Sequence, residues 1–223
     1  MTFASVRRTS IVALTALAAA SAQALTLPTN ALVADSNQVF SDDAMSAFEL
    51  FNIKVTGLGN ATAVAGTTNT FRLPITTIKI GSGLKILSGD AKGSALEFAR
   101  EVKGVKKAFT LANFTINYEK GQVLADATAK GGVTARQAVV YNYTVEKPLT
   151  VKYRFPLSIS LDESLNNLKL DSEMLKRFNA ALEVNEFLSN AVIPQISFGA
   201  LQQKIEVKFR SRPVSTKLYT PAP

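Results

Sequence analysis

Polar and apolar residues alternate with period two over much of this chain. Val139, Tyr141, Tyr143 and Val145 are set against Asn142 and Thr144, and Leu149, Val151, Tyr153 and Phe155 against Thr150, Lys152 and Arg154. Such alternation marks strands with one buried face, and Lys147-Pro148 reads as the turn between these two. Leu157, Ile159 and Leu161 carry the pattern on. In the last strand Ile205, Val207 and Phe209 alternate with Lys204, Glu206, Lys208 and Arg210.

The longest run with strand chemistry is Thr70–Leu87 (TFRLPITTIKIGSGLKIL), which reads as two extended segments hinged at Gly81-Ser82-Gly83. Ser88–Gly104 is less regular. Phe109–Tyr118 is a strand whose apolar parity changes between Leu111 and Phe114, so a bulge is expected near Ala112-Asn113. Glu119-Lys120-Gly121 then turns the chain into an antiparallel return over Gln122–Thr128.

Period 3.6 occurs twice. Ser41-Asp42-Asp43 supplies a cap and first-turn acids for a short helix over Ala44–Phe51. Asp171–Val192 predicts one longer helix with Met174, Leu175, Phe178, Ala181, Leu182, Leu188 and Val192 on its apolar stripe, ended by Pro194. The sum is a mainly β chain: an antiparallel β-sandwich or flattened barrel with one short N-terminal helix and one longer C-terminal helix. A single domain is expected over 41–210, preceded by an N-terminal arm (25–40) and followed by a flexible tail (211–223).

The first residues read as a leader. Arg7 and Arg8 form a basic start, Ile11–Ala20 a short apolar run, and Ala22-Gln23-Ala24 a cleavage site, so residues 1–24 are expected to be a signal peptide. The apolar run is too short to span a bilayer. The mature chain is then exported, periplasmic or extracellular, with no transmembrane segment. It contains no cysteine, histidine or tryptophan. Thiol chemistry, histidine- or cysteine-ligated zinc and every histidine-based triad are thereby excluded, and stability must come from burial rather than disulfides.

The remaining candidate chemistry is sparse. Tyr118, Tyr141, Tyr143 and Tyr153 could offer phenol or stacking contacts to a flat ligand, although strand tyrosines at alternate positions are ordinarily core or rim residues. Arg100, Lys103, Lys106 and Lys107 form a basic cluster suited to an acidic polymer or surface, in a chain of net charge +8. The acid pairs Asp42/Asp43 and Asp162/Glu163 suit capping and turns better than paired-carboxylate catalysis. No calcium loop and no phosphate loop is present. No catalytic residue, metal or cofactor is assigned, and no specific nucleic-acid partner is expected.

The words F-x-L-P-I at Phe71–Ile75, L-x-N-F-x-I-N at Leu111–Asn117 and G-x-V-x-A at Gly121–Ala125 resemble exported bacterial β proteins, and within them the HtaA-like secreted β domains. The similarity covers about Asn69–Thr128. It implies an exported β domain linked to haem capture. With no histidine here, any axial partner that histidine supplies in such a family is missing, and no functional residue is carried over.

The expectation is therefore an exported non-enzymatic β protein that works by surface, matrix or envelope contact, with self-association through strand edges or binding to a cell-surface polymer. The alternative is a binding protein for an apolar or flat small ligand, haem- or lipid-like, held in a cavity beneath the helix Asp171–Val192.

Overall fold

The computed structural model describes residues 24–82, 85–154 and 158–222, so the expected leader lies outside the described residues but for Ala24. The strands are β1 (Leu25–Pro28), β2 (Leu32–Val39), β3 (Lys54–Gly59), β4 (Thr62–Ala63), β5 (Thr70–Pro74), β6 (Thr77–Ile80), β7 (Ile86–Val102), β8 (Val105–Asn117), β9 (Gln122–Ala129), β10 (Ala135–Arg154), β11 (Ser158–Leu170) and β12 (Ala200–Phe209). The helices are α1 (Asp42–Leu50), α2 (Ser172–Leu182) and α3 (Glu186–Val192).

All these strands join one antiparallel sheet in the order β1-β6-β7-β8-β9-β10-β11-β12-β2-β5-β4, with β3 also on β7. The sheet curls, and Thr70–Ile80 explains how. Its first half pairs with β2 (Val39↔Thr70 to Asp35↔Pro74), and its second half pairs with β7 (Thr77↔Asp90 to Ile80↔Ile86). Between the halves, Ile75 N–H reaches Ala34 O at 2.8 Å and Thr76 N–H reaches Asp90 O at 2.7 Å. One continuous segment therefore touches strands from opposite ends of the path.

The mainly β, antiparallel character agrees with the pattern of the chain. Several elements differ from expectation. Residues 25–40, expected as an arm, contribute β1 and β2, and β2 lies between β12 and β5. Ser88–Val102 lies within the 17-residue strand β7, where Gly93 marks irregularity rather than a loop: it has φ 77, at a register shift between Ala91 and Ala95. Lys147-Pro148 is not a turn. Strand β10 runs through it, with register shifts on either side of Lys147. Proline lacks a ladder donor, and a bulge is where a strand tolerates that loss. The bulge expected at Ala112-Asn113 is present, with Asn113 at φ 54.

The single helix expected over Asp171–Val192 is two. Asp171 caps α2 by accepting from Glu173 N–H at 3.0 Å, and Glu183 ends it in the left-handed region (φ 51, ψ 42). Asn185 then accepts from Leu188 N–H at 3.1 Å and starts α3. An asparagine side chain offers the backbone a cap in place of helix continuation, which is why the pattern breaks there. The restart rotates the stripe: Met174, Leu175, Phe178 and Leu182 are buried, whereas Leu188 is 40% exposed. Ser189 Oγ donates to Asn179 Oδ1 at 2.7 Å and ties the two helices together.

The core beneath the helices is a web of rings. Phe98 contacts Phe178 (centroids 5.5 Å), Phe48 (5.7 Å) and Phe40 (6.2 Å), and Phe109 contacts Phe178 at 5.8 Å. Phe198 packs on Phe48 and Tyr141. These pairs are mostly edge-to-face or tilted, the arrangement favoured by the ring quadrupole.

Candidate functional site

Three places concentrate polar chemistry. The first is inside the sheet. Ser36 on β2, Gln203 on β12 and Glu163 on β11 sit on paired positions, Ser36↔Gln203↔Glu163, and all three are buried. From the turn that follows β8 on the opposite wall, the Tyr118 phenol donates to Glu163 Oε2 at 2.6 Å, and Gln203 Nε2 donates to Tyr118 Oη (2.8 Å) and to Glu163 Oε2 (3.0 Å). Ser36 Oγ has no partner among the described residues. This polar layer separates the large ring-rich core from a small cluster of Ala34, Ile75, Ile78 and Ile205.

Burial pushes the Glu163 carboxyl above its ordinary range, and the Tyr118 hydrogen bond opposes that shift. Burial, and then the Glu163 charge, raise the Tyr118 phenol strongly, so it stays a neutral donor. Tyr143 donates to Asn117 O at 3.3 Å and is raised by burial first and Glu163 second. Tyr141 lies deeper against Phe198, and burial alone raises it. The structure thus gathers Tyr118 and Tyr143 around Glu163 and leaves Tyr141 in the core. The Tyr153 side chain lies outside the described residues. The neighbouring interior space, bounded by Ser36, Gln38, Ile116 and Leu201 among others, is about 20 Å³, room for roughly one water.

The second place is the basic hairpin of β7 and β8. Its two-residue turn, Lys103-Gly104, has positive φ at both positions (50 and 78), the geometry that matches strand twist. Cross-strand register sets Arg100 opposite Lys107 and Glu101 opposite Lys106. The four cations therefore do not form one patch. Lys106 Nζ pairs with Glu97 at 2.7 Å, while Lys107 Nζ pairs with Glu183 at 2.6 Å. Lys107, then the charges of Lys103 and Arg100, hold the Glu183 carboxyl below its ordinary range. Arg100, Lys103 and Lys107 thus converge on one acid, and Lys106 is spent elsewhere.

Sequence reasoning missed the third place. On the outer face, irregularities in neighbouring strands align: β7 slips between Ala91 and Ala95, β8 between Ala112 and Thr115, and β10 between Ala135 and Ala138. Asn113 and Gln137 adopt φ 54 and 45 there. Such conformations are uncommon outside glycine and cluster where the surroundings enforce them. Asp126 on β9 is the enforcing group. Its Oδ2 accepts from Asn113 Nδ2 at 2.8 Å and its Oδ1 from Gln137 N–H at 2.9 Å, while Gln137 Nε2 donates to Asn113 O at 2.9 Å.

Across this kink lies the segment 211–222, expected as a flexible tail. Asn113 clasps its main chain, with Oδ1 accepting from Tyr219 N–H (2.8 Å) and Nδ2 donating to Tyr219 O (2.9 Å). Asn60 Nδ2 donates to Ser215 O at 2.7 Å. Close approach depends on a missing side chain, since a Cβ on Gly93 would lie 2.8 Å from Lys217 O. The strap leaves open clefts on both sides. One, about 380 Å³, is bordered by Lys92, Thr115, Thr134, Arg136, Gln137 and the strap residues 218–221. The other, about 210 Å³, is bordered by Glu97, Lys106, Thr128, Lys130, Tyr219 and Pro221. The only early signals were the parity change at Asn113 and Gly93.

Among the described residues no group of three or more acids could hold a metal ion, and no helix is long and apolar enough to cross a membrane. No protein-family model matches the chain, and no curated protein matches it. Among solved structures, the crystal structure of the C-terminal domain of HtaA from Corynebacterium glutamicum is similar, at 13% identity and a TM-score of 0.47. The match covers 78% of this chain and 97% of that one. It is a distant structural resemblance.

Proposed function

We propose that the chain is an exported, non-enzymatic protein that acts by contact at the bacterial surface, matrix or envelope, through the outer face of its sheet. The observation that carries this is where space exists. The core beneath the helices is packed with rings and the interior space beside Ser36 and Gln38 is about 20 Å³, whereas a ligand-sized cleft, about 380 Å³, opens outward beside the 211–222 strap. Small-molecule sites ordinarily occupy clefts of a few hundred Å³. The acids support the non-enzymatic reading: Asp126 is engaged in shaping the kink, and Glu163 is buried behind Tyr118. Export is supported by the leader pattern of residues 1–24. The exposed terminal strand β1, with all four residues solvent-facing, offers an edge for self-association.

The test is retention of the mature protein on isolated cell-surface material, together with its mass in solution from dilute to high concentration. Retention or concentration-dependent multimers support the reading. A strict monomer that binds no surface polymer refutes it.

A second reading, a carrier for a flat or apolar small ligand, is favoured by one observation, the Tyr118 phenol held by Glu163 at 2.6 Å. Burying a carboxylate is costly and functional sites often carry such groups. Among the described residues the interior space beside Ser36 and Gln38, about 20 Å³, is too small for a haem. Titration with ferric haem, followed by absorbance, decides this reading: no spectral change in the native chain, or the same change in Tyr118→Phe, ends it.

A further inference from the structure

The larger outer cleft divides its polar groups into two kinds. Asn113, Gln137 and Asp126 hold one another in the strained kink, with the Asp126 carboxylate taken on both oxygens. Asp126 borders the cleft too, half-buried, with both carboxylate oxygens occupied by these hydrogen bonds. What remains toward the cleft is donor-rich. Arg136 is exposed and has no ion pair among the described residues, and Lys92 has only a loose one, 4.0 Å from Asp90 with its side chain 43% exposed. The Thr134 hydroxyl shares a single 2.8 Å hydrogen bond with Thr128, leaving hydrogen-bonding capacity unused. The opposite wall is the strap, Leu218 to Pro221, mainly apolar and with one ring. Two cations, one hydrogen-bonded carboxylate (Asp126), neutral hydroxyl and amide groups and an apolar wall border about 380 Å³, so the lining keeps a net positive charge.

We propose that this cleft binds a carboxylate-bearing sugar unit of an acidic polysaccharide. Arg136 and Lys92 pair with the carboxylate, an arrangement for which the guanidinium fork is suited. The Thr134 hydroxyl and the Oε1 of Gln137, whose amide nitrogen is held by Asn113 O and Asp126, meet the ring hydroxyls, and the strap covers the C–H face of the sugar. A bare inorganic anion would leave the apolar wall and most of the volume unused. A polynucleotide needs a run of cations along its phosphates, and here two cations stand among the Asp126 carboxylate and four neutral polar side chains, Asn113, Thr115, Thr134 and Gln137. The strap is a built part of the site: two asparagines grip its main chain and Gly93 makes room for it. The proposal rests on the surface-contact reading and names its ligand class and its place.

The experiment is affinity electrophoresis of the mature full chain through gels containing polygalacturonate, neutral dextran or single-stranded DNA, with the cell-surface retention assay in parallel. Polygalacturonate is expected to retard the native protein and dextran is not, with free galacturonate competing. The pair Arg136→Gln with Lys92→Gln should weaken retardation at least tenfold while circular dichroism stays native. The hairpin pair Lys103→Gln with Lys107→Gln should leave it unchanged.

If the hairpin pair abolishes binding and the cleft pair does not, the assigned place is wrong and surface contact stands. Equal retardation by DNA overturns the ligand class. Retention on cell-surface material without retardation by polygalacturonate overturns the sugar and spares the contact reading. Failure of both assays, in a chain that stays strictly monomeric, overturns the two together.

Discussion

Replacing Phe98 with alanine tests the claim on which the outward-facing function depends, that the interior is full. Phe98 on β7 is 1% exposed and meets three rings, at 5.5, 5.7 and 6.2 Å, one on α2, one on α1 and one on the segment between β2 and α1. Truncating a buried phenylalanine costs about 3–5 kcal/mol, through lost transfer energy and the cavity left behind. A site braced by three rings from different elements cannot collapse easily, so about 4 kcal/mol is expected. For a chain of this size that lowers Tm by roughly 10 °C. Urea unfolding followed by far-UV circular dichroism measures it, with the slope m unchanged if native compactness is kept. The cycle Phe98→Ala with Phe178→Ala should return a coupling of about 0.5–1.5 kcal/mol. A loss below about 1.5 kcal/mol, or strict additivity with Phe178→Ala, would show a loosely filled interior. Room for a ligand beneath the helices would then exist.

Three further outcomes follow from the same contacts. Asn113→Ala removes the bonds to Asp126 and to both Tyr219 main-chain groups and leaves alanine at φ 54; about 2–3 kcal/mol of stability is expected to go, with cleavage near residue 219 under limited proteolysis. Asn113→Gly, which accepts the backbone but not the bonds, should free the strap at a smaller stability cost, and an uncut strap in both variants would contradict the anchoring role. Because burial raises the folded Glu163 carboxyl above its unfolded value, the stability it contributes is complete below the ordinary carboxylate range and is lost as pH rises through the folded value. Glu163→Gln keeps an acceptor for Tyr118 and removes the charge, so the decline in Tm on going from about pH 4 to about pH 8 should flatten; identical slopes in the two proteins would count against it. Glu183→Gly relieves a left-handed residue at the end of α2 and loses the exposed pair with Lys107; a higher urea midpoint is expected, and a lower one would show that the pair matters more than the backbone.

Local pattern alone determined a good deal of this protein. Period-two alternation with turn residues is a property of contiguous sequence, so β8, β9 and β12, the bulge at Asn113 and the cap at Ser41 were all legible. Amino-acid identities likewise closed off thiol and histidine chemistry without any coordinates. Three features were decided only by folding. Lys147-Pro148 carries turn chemistry, yet partners on β11 hold it inside a 20-residue strand. Tyr141 and Tyr143 share one parity on β10, but only the curl of the sheet brings Tyr118 across to Glu163, 45 positions away, while Tyr141 sinks into the ring core. The outer cleft joins Lys92, Asn113, Arg136 and Tyr219 from four separate segments, and no spacing rule connects them. The physical reason is the same in each case. Alternation and capping are short-range free energies written in neighbouring residues, whereas register, curl and the docking of the strap depend on hydrogen bonds between residues that meet only after the chain has closed.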